Sequence, residues 1–158
     1  KKFAENGYAL ILNGRRLERL VELQRELGSR TEVLLAPFDV ADKDQLHGWF
    51  EKNFAFVDRI GVLVNSAGLA RGTDPLQRGD EKDWEEMIDT NLKGLLAVTR
   101  KILPAMVKNQ RGHIVNLGSV AGIWTYPGGA VYCATKFAVR ALSEGLRMEL
   151  IGTGVRVT

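Results

Sequence analysis

A succession of short apolar runs without polar alternation constrains this chain more than any other feature. The runs lie at residues 8–13, 32–38, 61–64 and 114–117, and a further one begins at 155–158. A strand covered on both faces reads this way, as in a parallel sheet with helices on either side. The intervening segments carry helical periodicity. Residues 15–27 repeat Leu17, Leu20, Val21, Leu23 and Leu27 behind a charged outer face, and Gly28 ends the pattern. Residues 42–57 gather Leu46, Trp49, Phe50, Phe54 and Val57 on one side. A long helix is predicted over 81–108, opened by Asp80 and Asp83, with Pro104 kinking it or starting its last segment. Another spans 131–151 until Gly152 and Gly154 break it, and residues 1–6 read as a helix tail stopped by Gly7. Alternating strands and helices of this kind predict one domain over residues 1–158, an α/β doubly wound parallel sheet.

In such a sheet, ligands bind in a crevice beyond the carboxyl ends of the strands. Asn13-Gly14 with Arg15 and Arg16, Asp39 with Val40, Asn65-Ser66-Ala67-Gly68, and Gly118-Ser119 all fall at those ends. Small and polar residues at independent strand ends point to one shared crevice. Beyond Ser119, Tyr132 and Lys136 stand one helical turn apart on the same face. A hydroxyl, a phenol and an ammonium suffice for acid–base chemistry on an oxygen. A cation about 4 Å from a phenolate, at an effective dielectric of 20, stabilises it by about 4 kcal/mol. Asn91 lies inside the long helix, where its propensity is poor. Plainer readings stand beside these: a core tyrosine with a solvated lysine, a turn serine, a tolerated helical asparagine, a helix-capping Asp39 and a solvated arginine pair.

Composition excludes several other classes. The net charge is +3, and the 22 basic residues are mixed with 19 acidic ones, so no basic patch argues for nucleic acid. No apolar stretch reaches about 18 residues, the length a membrane span needs. The first residues carry no signal-peptide core. The single cysteine, Cys133, has no partner for an internal disulfide, which fits a reducing, cytoplasmic setting. His47 and His113 have no ligand spacing to another His or Cys, so no metal site is expected.

The Asn65-Ser66-Ala67-Gly68 turn resembles the Asn-Asn-Ala-Gly signature of the short-chain dehydrogenase/reductase family, with serine at its second place. Asn91, Ser119, Tyr132 and Lys136 match that family's catalytic tetrad in order and spacing. Within the family, the chain is similar to a subgroup of NADP-dependent 3-hydroxy acid and serine dehydrogenases. The resemblance implies a Rossmann-like fold and interconversion of an alcohol and a carbonyl by hydride transfer, on a small 3-hydroxy acid such as serine. It implies Tyr132 as acid/base, Ser119 as the substrate's hydrogen-bond donor, Lys136 on the nicotinamide ribose, and Asn91 in a kink and proton relay. Asn65, Ala67 and Gly68 would pack on the adenosine side, and Asp39 and Val40 would line the adenine pocket.

NAD-preferring relatives carry an acid where this chain has Asn13-Gly14. Here the acid is missing and Arg15 and Arg16 follow, which favours NADP over NAD through guanidinium–phosphate pairing. Arg140 and Arg71 are the candidates for a substrate carboxylate, and Tyr126 with Trp124 for a pocket wall. A homo-oligomer, dimer or tetramer, would pair the 81–108 and 131–151 helices; Ala138, Ala141, Leu142, Leu146 and Leu150 read equally as that face or as core. The family's Gly-rich turn is expected before Lys1, and its Pro-Gly turn and substrate loop after Thr158. The chain is therefore expected to be an internal segment, incomplete at both ends and poorly active alone. The competing reading is a nucleotide-binding or interaction module without turnover.

Overall fold

The structure, a computed structural model, describes residues 1–158. Strands β1 (Leu10–Asn13), β2 (Val33–Ala36), β3 (Val62–Asn65), β4 (Gly112–Asn116) and β5 (Val155–Val157) alternate with helices. The helices are α1 (Lys2–Glu5), α2 (Leu17–Leu27), α3 (Lys43–Lys52), α4 (Phe54–Val57), α5 (Glu81–Ile88), α6 (Leu95–Lys108) and α7 (Ala130–Glu149). All strand pairs are parallel, as the unalternating apolar runs predict.

The sheet differs from the expectation in one respect. It comes as two pieces, β1-β2 and β3-β4-β5, and β1 and β3 each pair on one side only. One core nevertheless unites the pieces, for Ala36 and Phe38 share a buried cluster with Leu63, Ile102, Met106, Ile114 and Val157. Leu46 and Ile114 are fully buried. Burial of each such aliphatic side chain contributes about 1.5–3 kcal/mol.

Two helices depart from the sequence pattern. The segment expected as one helix over 42–57 divides at Asn53. The Asn53 side chain donates to the Trp49 carbonyl at 2.8 Å, and its backbone N–H donates to Trp49 and Phe50, which ends α3. Asparagine competes for backbone partners in this way and so punctuates helices. The 81–108 segment runs on through Pro104, which α6 holds in its interior. The irregularity falls instead at Asp89–Gly94, a π-helical turn between α5 and α6. On the solvent side of that turn, Lys93 pairs with Asp89 at 2.7 Å, a hydrogen bond that raises the exposed ammonium above its ordinary pKa.

Of the five residues that read as either oligomer face or core, two belong to the core. Leu150 is buried in the main cluster and Leu146 packs against it, because α7 lays this side on the sheet. At the end of α7, Gly154 takes φ +76°, and a Cβ there would collide with the Gln110 carbonyl. Only glycine fits this turn into β5. No helix is long and apolar enough to cross a membrane.

Candidate active site

Strands β3 and β4 are in register to their last residues, Asn65 opposite Asn116. The turn Asn65-Ser66-Ala67-Gly68 and the segment from Leu117 to Ser119 therefore leave the sheet side by side. A chain of side-chain hydrogen bonds lies beneath these ends. Asn65 Nδ2 donates to Asn116 Oδ1 at 2.9 Å and to Thr99 Oγ1 at 3.0 Å. Asn116 Nδ2 donates to Ser143 Oγ at 2.9 Å, and Ser143 donates to the Val139 carbonyl. The chain ties β3, β4, α6 and α7 together, and no buried side-chain polar atom lacks a partner. Fully satisfied buried networks of this kind fix a unique arrangement.

Lys136 is buried, and its Nζ donates to the Leu117 carbonyl at 2.9 Å. Its ammonium lies 6.0 Å from the centre of the Tyr132 ring, one turn earlier on α7. The floor beside it is narrow: a Cβ on Gly68 would stand 3.8 Å from Lys136 Nζ and 3.2 Å from Asn91 Oδ1. Ser119 caps a short 3₁₀ turn, Val120–Gly122, by accepting from the Ala121 N–H at 3.1 Å. Its hydroxyl proton remains available for donation. Gly122 seats that turn against α7, since a Cβ there would come within 2.8 Å of the Lys136 carbonyl.

Asn91 joins these parts. It is 2 % exposed, and the π turn directs its amide inward. Oδ1 accepts from the Leu69 N–H at 2.8 Å; Nδ2 donates to the Leu69 carbonyl at 2.8 Å and to Thr135 Oγ1 at 3.1 Å. Thr135 in turn donates to the Tyr132 carbonyl at 2.7 Å. One side chain thus fastens the loop after Gly68 to the turn of α7 that carries Tyr132 and Lys136. The same π turn touches the opposite end of the site: a Cβ on Gly94 would lie 2.7 Å from Val40 Cγ2. Val40 is consequently buried beneath the helix, and half-buried Asp39 stands beside it at the rim.

At that rim, Gly14 follows β1, and Arg15 Nη1 lies 3.5 Å from Asp39 Oδ2. Arg16, at the start of α2, is exposed. On the Tyr132 side, a cleft of about 120 Å³ is lined by Tyr132, Arg71, Arg78, Trp84 and Gly128 among others. Arg71 is held there by Glu86 at 3.0 Å. Arg140 pairs with Glu144 at 3.0 Å and does not line this cleft. Tyr126 stacks near Trp124, ring centres 5.9 Å apart, and packs on Gly129. Sequence reasoning missed Leu69, Gly94, Thr135 and Asn116, whose parts depend on partners distant in the chain.

A family model described as short chain dehydrogenase matches residues 1–158. An NADP-dependent 3-hydroxy acid dehydrogenase of Salmonella typhi is 50% identical over 158 residues, covering 100% of this chain and 63% of that protein. Sulfoacetaldehyde reductase 2 of Chromohalobacter salexigens is 48% identical over 159 residues, with the same shares of 100% and 63%. The chain thus spans 63% of the length of the curated relatives it matches. The crystal structure of serine dehydrogenase from Escherichia coli superposes with a TM-score of 0.90 at 46% identity, over 99% of this chain and 71% of that one. A closed form of serine dehydrogenase complexed with NADP+ gives 0.89 at 45% identity, over 99% and 62%.

Proposed function

The chain belongs to the short-chain dehydrogenase family, and from that premise we propose that it serves an NADP-dependent oxidoreductase interconverting an alcohol and a carbonyl on a small 3-hydroxy acid. The network joining Asn91 to Leu69, Thr135 and the Tyr132–Lys136 turn is the observation that carries this reading.

The residues fit such a cofactor. Ala67 and Gly68 are small and exposed at the strand end, and a Cβ on Gly68 would meet Asn91 and Lys136. No acid stands at Asn13-Gly14, and the Arg15 side chain is 62% exposed beside the adenosine end, suited to a 2′-phosphate. A nicotinamide held in the site would supply hydride transfer to or from the substrate's reacting carbon. Tyr132 takes or gives the proton on the substrate oxygen. Lys136, fixed by the Leu117 carbonyl, supplies positive charge near the phenolate. Ser119 donates its hydroxyl proton to the substrate oxygen, where negative charge develops on reduction.

The names of the similar proteins point to substrates with an acid group near the reacting oxygen: 3-hydroxy acids, serine and sulfoacetaldehyde. A cation must meet that group, and Arg71 shares the Tyr132 cleft, which favours it over Arg140. The same reading includes a cytoplasmic setting, in keeping with the buried thiol of Cys133. It also includes a homo-oligomer formed through the outer sides of α6 and α7, where Leu96 and Phe137 are exposed. The test is a specificity screen of the full-length protein with NADP and NAD against serine, 3-hydroxyisobutyrate and uncharged alcohols. Turnover should favour NADP and the acids; equal rates with uncharged alcohols would retire the acid-substrate reading.

A further inference from the structure

At the end of β1, the Asn13 amide reaches across to the neighbouring strand's exit. Its Nδ2 donates to the Ala36 carbonyl at 2.8 Å and to the Phe38 carbonyl at 3.0 Å. Phe38 is buried, so the second bond fixes the backbone immediately before Asp39. Asp39 Oδ1 accepts from the Ala41 N–H at 3.0 Å, leaving Oδ2 to face Arg15 Nη1 at 3.5 Å. A ring closes in this way: Asn13, the 36–39 segment, Asp39, Arg15 and back to Asn13. An exposed ion pair contributes little stability, about 0–1 kcal/mol. Its value here is geometric, because it gives the guanidinium a fixed neighbour at the rim of the site.

We propose that Asn13 is a positioning residue for cofactor discrimination. By clamping the exits of β1 and β2 together, its amide holds Arg15 where the 2′-phosphate of the adenosine ribose is read. The proposal rests on the NADP reading above. Its chemistry is specific to an amide: both Nδ2 hydrogens are given to backbone carbonyls. A carboxylate has no hydrogen to give, so Asn13→Asp sets acceptor against two acceptors. That substitution therefore opens the clamp and does not convert the site to NAD.

The test uses the full-length protein and two probes, 2′,5′-ADP and 5′-AMP, which differ only in the 2′-phosphate. Dissociation constants are measured by calorimetry for the wild type, Asn13→Asp, Asn13→Ser and Arg15→Ala, with thermal unfolding to establish that each is folded. Charge-assisted bonds to phosphate are strong enough that the wild type should prefer 2′,5′-ADP by about tenfold or more. Both Asn13 variants should lower that preference by about fivefold, towards the Arg15→Ala value, with 5′-AMP affinity changed less than about twofold. A general loss of structure would weaken both probes alike and leave the ratio unmoved. Should Asn13→Asp not fold, Asn13→Ser supplies the ratio. An unchanged ratio in the folded variants, with Arg15→Ala lowering it, overturns this proposal alone. Tighter 5′-AMP binding in Asn13→Asp also overturns it, since the side chain would then face the ribose. A wild type with no preference overturns the NADP reading and this proposal together.

Discussion

Replacing Asn91 with alanine removes three hydrogen bonds: from the Leu69 N–H, to the Leu69 carbonyl and to Thr135 Oγ1. Each such bond is worth about 1 kcal/mol net. Alanine returns about 0.6 kcal/mol of helix propensity. The balance is a loss of about 2–3 kcal/mol, which for a chain of this size lowers Tm by roughly 5–10 °C. Thermal unfolding followed by circular dichroism measures this directly. The same variant frees the loop after Gly68 and the turn bearing Tyr132 from each other, so kcat should fall by about tenfold or more. Asn91→Asp sharpens the argument. It keeps an acceptor for the Leu69 N–H but loses both donors, and it places a charge at a position 2 % exposed. A buried charge is costlier than a missing amide, and the Lys136 ammonium across Gly68 makes no direct bond to this position to offset it, so Asn91→Asp should be less stable than Asn91→Ala. Either variant melting within about 1 °C of the wild type would refute the clamp, since even 1 kcal/mol corresponds to about 2–4 °C.

Three further substitutions test the site's ends. Gly94→Ala gains about 1 kcal/mol in helix propensity, but its Cβ would lie 2.7 Å from Val40 Cγ2 and 3.1 Å from the Val40 carbonyl. Overpacking costs about 1–3 kcal/mol, so the variant should melt at or below the wild-type temperature and bind nucleotide more weakly; a higher Tm would show that the π turn and the Val40 segment are not in close contact. Arg71→Ala should raise KM for an acid substrate by about tenfold, the loss of one charge-assisted contact, while Arg140→Ala leaves KM within about twofold. The reverse order in steady-state kinetics would move the carboxylate contact from the Tyr132 cleft to the outer face of α7.

Much of this architecture is legible in the residues themselves. Parallel strands buried on both faces need continuous apolar runs, and those runs locate every strand to within a few residues. The stop at Gly28 and the start at Asp80 are local chemistry, visible without a fold. The spacing of Ser119, Tyr132 and Lys136 is legible because one turn and one helix directly after β4 carry all three. What escapes is set by distant partners. The division at Asn53 depends on a side chain choosing a backbone carbonyl, which periodicity does not register. The π turn at Asp89–Gly94 exists where Asn91 meets Leu69 and Gly94 meets Val40, contacts made only once the sheet is assembled. Asn13 shows the same limit, for its residue type says only that an acid is absent. Its hydrogen bonds to Ala36 and Phe38 reveal a clamp.

The central claim is that Tyr132 exchanges the substrate proton while the strand ends hold the cofactor independently of it. Tyr132→Phe in the full-length protein tests this by one paired measurement, turnover of a 3-hydroxy acid read by nicotinamide absorbance and NADP affinity read by calorimetry. Loss of a general acid/base should reduce kcat by about 10²–10⁴-fold, with the NADP dissociation constant changed less than about threefold. Turnover near the wild-type rate, with cofactor binding intact, would contradict the account.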